Sequence, residues 1–260
     1  MGSVPTSRLV FLGGLHRSGT TLLGRCLAEH PLVSGFEGTG VPADEGQHLQ
    51  SVYPPAKDYG GPGLFAFAEE AHLTEASPLV SEESRERLLA DWSPYWDLEK
   101  PVLIEKSPPN LIRMRFLQAL FPGASFVVVT RHPIPVAYAT GKWRRQEPLR
   151  KLLRHWAVAH EVYCGDRDQI ERLLEVRFED FVRNPDAELR RVYGFLGLEP
   201  RGTALEVRPD ANEGYFRRWR EEEGSLRGRA SHALIRRELG KRVSALGYSL
   251  DDLERAGEAK

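Results

Sequence analysis

The chain has 260 residues, of which 41% are hydrophobic and 28% charged, and its formal net charge at pH 7 is −1. This length and composition predict one globular domain that can bury a core without disulfide staples. The balanced charge excludes a global field that would attract nucleic acid or an anionic membrane, so any anion site must be local.

Cysteine content and hydropathy predict the cellular compartment of the protein. Cys26 and Cys164 are too few for a disulfide framework and are compatible with a reducing compartment. No stretch approaches the ~20 apolar residues of a membrane span, and the first residues lack the charged and apolar regions of a signal peptide. We therefore expect a cytoplasmic protein with no membrane span and no nucleic-acid partner.

Apolar runs that predict strands alternate with amphipathic runs that predict helices. The strand-like runs are RLVFLGG, PVLIEKS, SFVVVTR and LLEVRFEDF. The helix-like runs cover residues 20–30, 81–92, 109–121, 134–143, 149–163, 186–198 and 231–249. This alternation predicts an α/β fold in which helices cover both faces of a central parallel sheet.

Two segments have no clear periodicity. Residues 35–63 are rich in glycine and proline, and residues 208–229 are polar and irregular. Long loops of this kind in a compact domain are usually functional or mobile. We predict a single domain over residues 1–260, with a core at about 8–200 and a covering loop and helix at 208–247.

The junction of the first strand and first helix has the outline of a phosphate-binding loop, GLHRSGTT at 14–21. Glycines let the backbone curl around an oxyanion, and the amides that open the next helix favour negative charge. Arg17 adds a forked donor, and Ser18 adds a hydroxyl. Thr20, however, stands where the GxxxxGK[ST] motif has its lysine.

Further absences narrow the identity of the anion. The strand FVVVTR ends in Arg131, where a magnesium-binding aspartate would normally stand, and His155 and His160 are five apart rather than at metal-ligand spacing. Phosphoryl transfer normally recruits Mg²⁺ to neutralise charge. A sulfuryl group carries less charge, so fixed cations and amides can suffice. Metal-free sulfuryl transfer is favoured. A degenerate P-loop kinase or NTPase and a non-catalytic nucleotide-binding module are the alternatives.

Four segments, in order and spanning roughly Leu9 to Leu198, resemble the PAPS-dependent sulfotransferases, where PAPS is 3′-phosphoadenylyl sulfate. GLHRSGTTLL resembles their 5′-phosphosulfate loop, and FVVVTRHPIPVAYAT resembles their 3′-phosphate strand and helix. LEVRFEDFVRNPDAELRRVYGFLGL resembles their R[YF]EDL…FLGL segment, and LIEKSPPNLIRMRFLQALFPGASF resembles the bacterial and protein-tyrosine branch.

The resemblance implies a P-loop-like sulfotransferase fold and a reaction. A sulfonate would pass from PAPS to the hydroxyl of a small-molecule or glycan acceptor, leave 3′,5′-ADP and need no metal. The residues implied to hold the phosphosulfate are His16, Arg17, Ser18, Gly19, Thr20 and Thr21. Lys106 would stabilise the charge on the leaving oxygen as the S–O bond breaks; the simpler alternative is a surface lysine paired with Glu105.

The resemblance also implies residues around the 3′-phosphate. Arg131 would bind this group, with a capping arginine paired with Asp180 as the alternative. Ala139 replaces the serine that usually follows eight residues later, so we expect Thr140 to supply the hydroxyl. Arg218 and Arg227 are the candidates for a basic loop that closes over the nucleotide.

The acceptor hydroxyl needs a base, and the segment FEGTGVPADEGQHLQ at 36–50 supplies the candidates. They are Glu37, Asp44, Glu45 and His48. Glu37 occupies the first position of an acidic pair in the protein-tyrosine branch, but Gly38 holds the second, which carries the base there. The choice stays open among the four. Aromatic residues at 92–96 are a candidate wall of the acceptor pocket.

Overall fold

A computed structural model describes residues 4–254, so the first three and last six residues of the predicted domain lie outside it. Within this range five strands form one sheet in the order β2-β3-β1-β4-β5, and every neighbouring pair is parallel. The strands are β1 Leu9–Gly14, β2 Val33–Ser34, β3 Val102–Lys106, β4 Ser125–Thr130 and β5 Leu173–Arg177. The predicted α/β fold with a central parallel sheet is confirmed.

Helices connect the strands and extend the chain beyond the sheet. In the described part of the chain they are α1 Thr20–Ala28, α2 Glu82–Trp92, α3 Met114–Leu120, α4 Pro133–Gly141, α5 Leu149–Asp166, α6 Phe178–Arg183, α7 Pro185–Phe195, α8 Glu213–Glu222 and α9 Leu226–Ala245. The predicted cap of α2 is present, because the Ser81 side chain accepts a hydrogen bond from the Ser84 amide. No described helix is both long and apolar enough to span a membrane.

The sheet is buried on both faces, which explains why its strands are nearly continuously apolar. Side chains alternate along β1, so Leu9 and Phe11 join one core cluster while Val10 and Leu12 join the other. The first cluster also contains Phe116 of α3 and Trp156 of α5, and the second contains side chains of α1 and α7.

Three local expectations were wrong. The fourth predicted strand continued through FEDF, but β5 ends at Arg177 and α6 begins at Phe178, because Glu179 and Asp180 favour a helix N-terminus. The two-residue strand β2 was missed because two residues carry no periodicity. The irregular 208–229 segment contains α8, which buries Phe216 and Trp219 on one face.

The last helix covers a different range from the predicted 231–249, because it starts earlier and already ends at Ala245. α9 begins at Leu226 rather than near residue 231, and the Ser225 side chain caps it by accepting a hydrogen bond from the Gly228 amide.

The parallel arrangement brings the C-terminal ends of β1, β3 and β4 to one edge of the sheet. In such sheets ligands bind beyond this edge. The candidate loop follows β1, Lys106 is the last residue of β3, and Arg131 directly follows β4. The fold therefore places residues from three distant parts of the sequence at one edge.

Candidate active site

The loop between β1 and α1 turns sharply because its backbone adopts left-handed conformations. Gly19, directly before α1, has φ 108°, and Arg17 has φ 71°, which is uncommon for a residue with a side chain. A Cβ atom on Gly19 would lie 2.4 Å from a ring carbon of Phe178, and one on Gly14 would lie 2.5 Å from the Val129 carbonyl oxygen. Both positions therefore need glycine.

Hydrogen-bond donors without partners face this turn. The first amides of α1, at Thr20 and Thr21, have no partner within the helix, as at any helix N-terminus. The Ser18 hydroxyl is 1% exposed and has no hydrogen-bond partner among the described residues. A buried hydroxyl beside free amides is a donor set suited to an oxyanion.

Arg17 points to the outside of the same loop. Its guanidinium carbon lies 4.8 Å from the centre of the Trp143 ring, and Trp143 is 57% exposed. A cation stacked on an aromatic face is held in orientation while its N–H groups stay available.

A cluster of ionisable side chains forms beside the loop at the end of β3. The Lys106 Nζ lies 3.8 Å from Glu45 Oε1 and donates to the Ala43 carbonyl. Glu45 Oε2 lies 4.0 Å from His16 Nε2 and 3.8 Å from His48 Nε2. The sequence-predicted candidates Lys106, Glu45, His48 and His16 are thus brought together, and Lys106 pairs with Glu45 rather than with Glu105.

Burial tunes the protonation of this cluster. It raises the pKa of the Glu45 carboxyl and lowers the pKa of Lys106, although the attraction between the two opposes both shifts. Burial, reinforced by Lys106, lowers the pKa of His16 to about 3, and burial also lowers the pKa of His48. Both imidazoles are therefore neutral at pH 7.

The segment that carries Glu45 has an unusual backbone. Ala43 and Asp44 both adopt left-handed φ values, 53° and 50°. Asp44 Oδ1 accepts hydrogen bonds from the Thr39 amide and hydroxyl, and these bonds lower the pKa of Asp44. Asp44 therefore serves to hold the loop, since its proton affinity is reduced and its oxygen is occupied.

An open cleft of about 710 Å³ extends from the loop across α1. Thr21 and Lys106 line it near the loop, and Glu37, Asp44 and Tyr95 line it further out. Glu37 is exposed, whereas Glu45 is 6% exposed. Of the predicted aromatic wall, Tyr95 faces this cleft, while Trp92 and Trp96 are buried in the core.

Arg131 is buried at the end of β4 and is held by several acceptors. Its guanidinium donates to Asn212 Oδ1 at 2.7 and 2.9 Å, to the Arg17 carbonyl at 2.8 Å and to the Ala211 carbonyl at 3.1 Å. Burial lowers the pKa of Arg131 to about 10, which leaves it charged at pH 7. Arg131 thus joins the candidate loop to the chain before α8, and Asp180 pairs instead with Arg177 and Arg183.

The remaining candidates lie in different surroundings. Thr140 is buried in α4 and lines a small cavity that His16 and Gly63 also line. Arg218 in α8 pairs with Glu222 at 2.9 Å and lies over the Tyr138 ring. Arg227 is exposed in the first turn of α9, and the structure does not join it to the loop cluster.

The sequence pattern did not reveal the buried polar residues that hydrogen-bond to Arg131 and Glu105. Asn212, which holds Arg131, was not singled out, and neither were Ser107 and Asn110 after β3. Glu105, to which these two side chains donate, was considered only as a surface partner of Lys106. The polar run directly after an apolar strand was the available signal for the second group. Among residues 4–254, no three or more His, Cys, Asp or Glu side chains group in a way that could hold a metal ion.

Known proteins share both the sequence pattern and the fold. The chain is 26% identical over 207 residues to protein-tyrosine sulfotransferase 2 of Gallus gallus, covering 76% of this chain and 53% of that protein. It is 27% identical over 225 residues to nodulation protein NoeE of Sinorhizobium fredii, covering 76% and 52%. The chain thus spans about half the length of these curated relatives.

Solved structures show the same architecture at low sequence identity. A sulfotransferase from Alicyclobacillus acidocaldarius superposes with a TM-score of 0.51 at 18% identity, over 94% of this chain and 96% of that one. Sulfotransferase STF9 from Mycobacterium avium gives 0.56 at 14% identity, over 99% and 79%. The model of the sulfotransferase family matches residues 10–201, which include the loop, Lys106 and Arg131. The chain therefore belongs to the sulfotransferase family and has its P-loop-like fold.

Proposed function

We propose that the protein transfers a sulfonate from PAPS to a hydroxyl group of a small-molecule or glycan acceptor and releases 3′,5′-ADP. The observation that carries this proposal is the Lys106–Glu45 pair, 3.8 Å apart, directly beside a loop with an unpartnered buried hydroxyl. The loop suits the anionic donor, and the pair supplies an acid and a base. The free thiols of Cys26 and Cys164 support a cytoplasmic setting as part of the proposal.

The proposed reaction is an in-line displacement at sulfur. The acceptor oxygen forms a bond to sulfur while the bond from sulfur to the 5′-phosphate oxygen breaks, and the acceptor proton passes to a carboxylate. The loop residues Arg17 to Thr21 hold the phosphosulfate, and the Lys106 ammonium stabilises the negative charge that develops on the leaving oxygen. Arg131 contributes positive charge on the 3′-phosphate side, next to Asn212.

Among the four candidate bases, Glu45 fits best. Its burial raises its pKa towards the working pH, as general bases require. Asp44 is occupied by Thr39, and the pKa of His48 is lowered. Glu37 faces the open cleft, where it is exposed and makes no comparable contact with Lys106.

Donor binding can be tested by thermal unfolding. Without magnesium, 3′,5′-ADP is expected to raise Tm, because a ligand that binds only the folded state stabilises it by mass action. Mg-ATP serves as the comparison for the kinase or NTPase alternative. Protection by Mg-ATP and none by 3′,5′-ADP would contradict the proposal.

Transfer itself separates an enzyme from a non-catalytic nucleotide-binding module. Radiolabelled PAPS is offered with the purified protein to a host cell extract, and the labelled product is identified. Appearance of a sulfated product that requires the protein supports the proposal and names the acceptor. Binding of 3′,5′-ADP without any transfer would favour the non-catalytic module.

A further inference from the structure

A buried polar network lies behind the Lys106–Glu45 pair, on the other face of β3. Glu105 is 1% exposed, and its two carboxylate oxygens accept hydrogen bonds from the Ser107 hydroxyl and the Asn110 side-chain amide, each at 2.5 Å. Alternation along the strand turns Glu105 away from Lys106, so neither oxygen pairs with that ammonium. The proposed chemistry does not use Glu105.

The network continues into the segment that carries Glu45. The Ser107 hydroxyl accepts a hydrogen bond from the backbone N–H of Gln47 at 2.8 Å, and the side-chain amide of Gln47 donates to Glu45 Oε2. The bonds therefore run without a break from Glu105 through Ser107 and Gln47 to the candidate base. Each member is buried, so a lost bond would leave a polar group without water.

Gly46 lies so close to Glu105 that there is no room for a side chain at this position. A Cβ atom on Gly46 would lie 2.3 Å from Glu105 Oε1 and 2.6 Å from its Cγ. Gly46 does not have a positive φ, so the requirement for glycine comes from this close approach and not from backbone conformation. The Gly46 carbonyl in turn accepts a hydrogen bond from the Trp92 indole at 3.0 Å.

Two consecutive residues of β3, Glu105 and Lys106, therefore contact the 43–47 segment from opposite faces of the strand. Lys106 donates to the Ala43 carbonyl and pairs with Glu45, while Glu105 packs on Gly46 and bonds through Ser107 to Gln47. Ala43 and Asp44, with their left-handed φ values, lie in the part of the segment that Lys106 contacts. A strained turn persists only where its surroundings fix it.

We propose that Glu105 is a positioning residue that, through Ser107 and its contact with Gly46, fixes the 43–47 segment so that the Glu45 carboxylate stays beside Lys106 and His16. The proposal rests on the proposed function for its catalytic consequence. The anchoring of the segment does not depend on that function.

Hydrogen exchange tests the anchoring without any assay of activity. Ser107→Ala removes the acceptor of the Gln47 amide, and Gly46→Ala pushes the segment off Glu105 without altering Glu105 itself. Both variants are expected to speed amide exchange in peptides covering residues 43–48, since bonded amides are protected. Gly165→Ala is the matched control, because a Cβ atom at Gly165 has nothing within 4 Å. Unchanged exchange at 43–48 in both variants would overturn the proposal.

A double-mutant cycle tests whether Gly46 acts through Glu105. Gly46→Ala is expected to lower kcat roughly 10- to 100-fold with the Kd for 3′,5′-ADP unchanged within about twofold, because the base is displaced while the donor loop is intact. In a Glu105→Ala background, the methyl group at position 46 no longer meets the Glu105 side chain. Adding Gly46→Ala to this variant should therefore lower kcat little further. If Gly46→Ala lowers kcat by the same factor in the wild-type and Glu105→Ala backgrounds, the contact between Gly46 and Glu105 is not the cause of the loss.

The outcomes separate the two proposals. Faster exchange with lower kcat and intact 3′,5′-ADP binding supports the positioning role. Faster exchange with unchanged kcat overturns it, since the segment would then move without consequence for the chemistry. If the wild-type protein binds no 3′,5′-ADP and transfers no sulfonate, the proposed function fails, and the exchange data still decide the anchoring.

Discussion

Glu105 and Lys106 are adjacent in the chain, but their side chains lie on opposite faces of β3. Lys106 faces α1 and the cleft, where its ammonium meets Glu45. Glu105 lies on the other face of β3, where its carboxylate accepts hydrogen bonds from Ser107 and Asn110 and packs on Gly46. Strand alternation alone separates the two charges. The pairing of Lys106 with Glu105 that sequence proximity suggested therefore does not form.

Lys106→Ala tests the role of the ammonium at the leaving oxygen. We expect sulfonate transfer to fall roughly 100- to 1,000-fold, as for loss of one stabilising donor at a developing charge. Binding of 3′,5′-ADP should stay nearly normal, because the loop amides are untouched. Lys241→Ala, an exposed lysine on α9, is the control. Unchanged turnover in Lys106→Ala would remove Lys106 from the mechanism.

Glu45→Gln tests the base assignment against Glu37→Gln. The amide keeps the size of Glu45 and cannot accept the acceptor's proton, so transfer should fall roughly 100- to 10,000-fold. Glu37→Gln should lose far less, since Glu37 is exposed at the cleft wall. Rates of label transfer from PAPS compare the two, and a larger loss in Glu37→Gln would reassign the base.

At the scale of elements, the β1–α1 turn and α6 form one unit. Phe178, at the start of α6, packs on Gly19 so closely that the turn has room for no side chain there, and the Arg131 guanidinium lies 4.0 Å above the same ring. The VRFEDF segment, which the sequence pattern predicted to continue as a strand, thus places Phe178 against the candidate loop.

Gly19→Ala is expected to disrupt this unit. The new methyl would meet the Phe178 ring at 2.4 Å, and the left-handed backbone adds its own cost, so the free energy of unfolding should fall by about 2 kcal/mol or more. Binding of 3′,5′-ADP should weaken as well. Gly123→Ala is the matched control, since Gly123 has φ 80° with nothing within 4 Å. Equal losses in the two variants would mean that the contact with Phe178 contributes nothing.

For the whole molecule, burial of Glu105 links stability to pH. Burial raises the pKa of Glu105 to about 7 from an ordinary 4.5, despite the opposing bonds from Ser107 and Asn110. The folded state therefore binds this proton more tightly than the unfolded state, so its contribution to stability is fully present below about pH 4.5 and is lost as pH rises through about 7.

Glu105→Gln should remove that dependence. Between pH 4.5 and pH 7 the free energy of unfolding of the variant relative to wild type should rise by about 3 kcal/mol, which is the pKa change converted at 1.36 kcal/mol per unit. Urea unfolding at several pH values measures the difference. Glu99→Gln, at an exposed carboxylate, should leave the wild-type slope. A constant difference between Glu105→Gln and wild type would show that Glu105 does not titrate in this range.

The sequence by itself determined the fold class and indicated the candidate anion loop. Continuous apolar strands alternating with amphipathic helices indicate a parallel sheet covered by helices, and the loop is encoded locally by its glycines and hydroxyls. The predicted ends of the strands PVLIEKS and SFVVVTR also placed Lys106 and Arg131 at the C-terminal edge of the sheet. These features depend on neighbours in the chain, which is why periodicity and spacing revealed them.

Only the tertiary structure decided which groups meet. The position of Glu45 beside Lys106 depends on how a loop without periodicity folds onto β3, and Gly46 of the same loop lies closely against Glu105. Asn212 reaches Arg131 from 81 residues away along the chain. Contacts between distant segments and the burial that shifts a pKa leave no local pattern, so they exist only once the chain is packed.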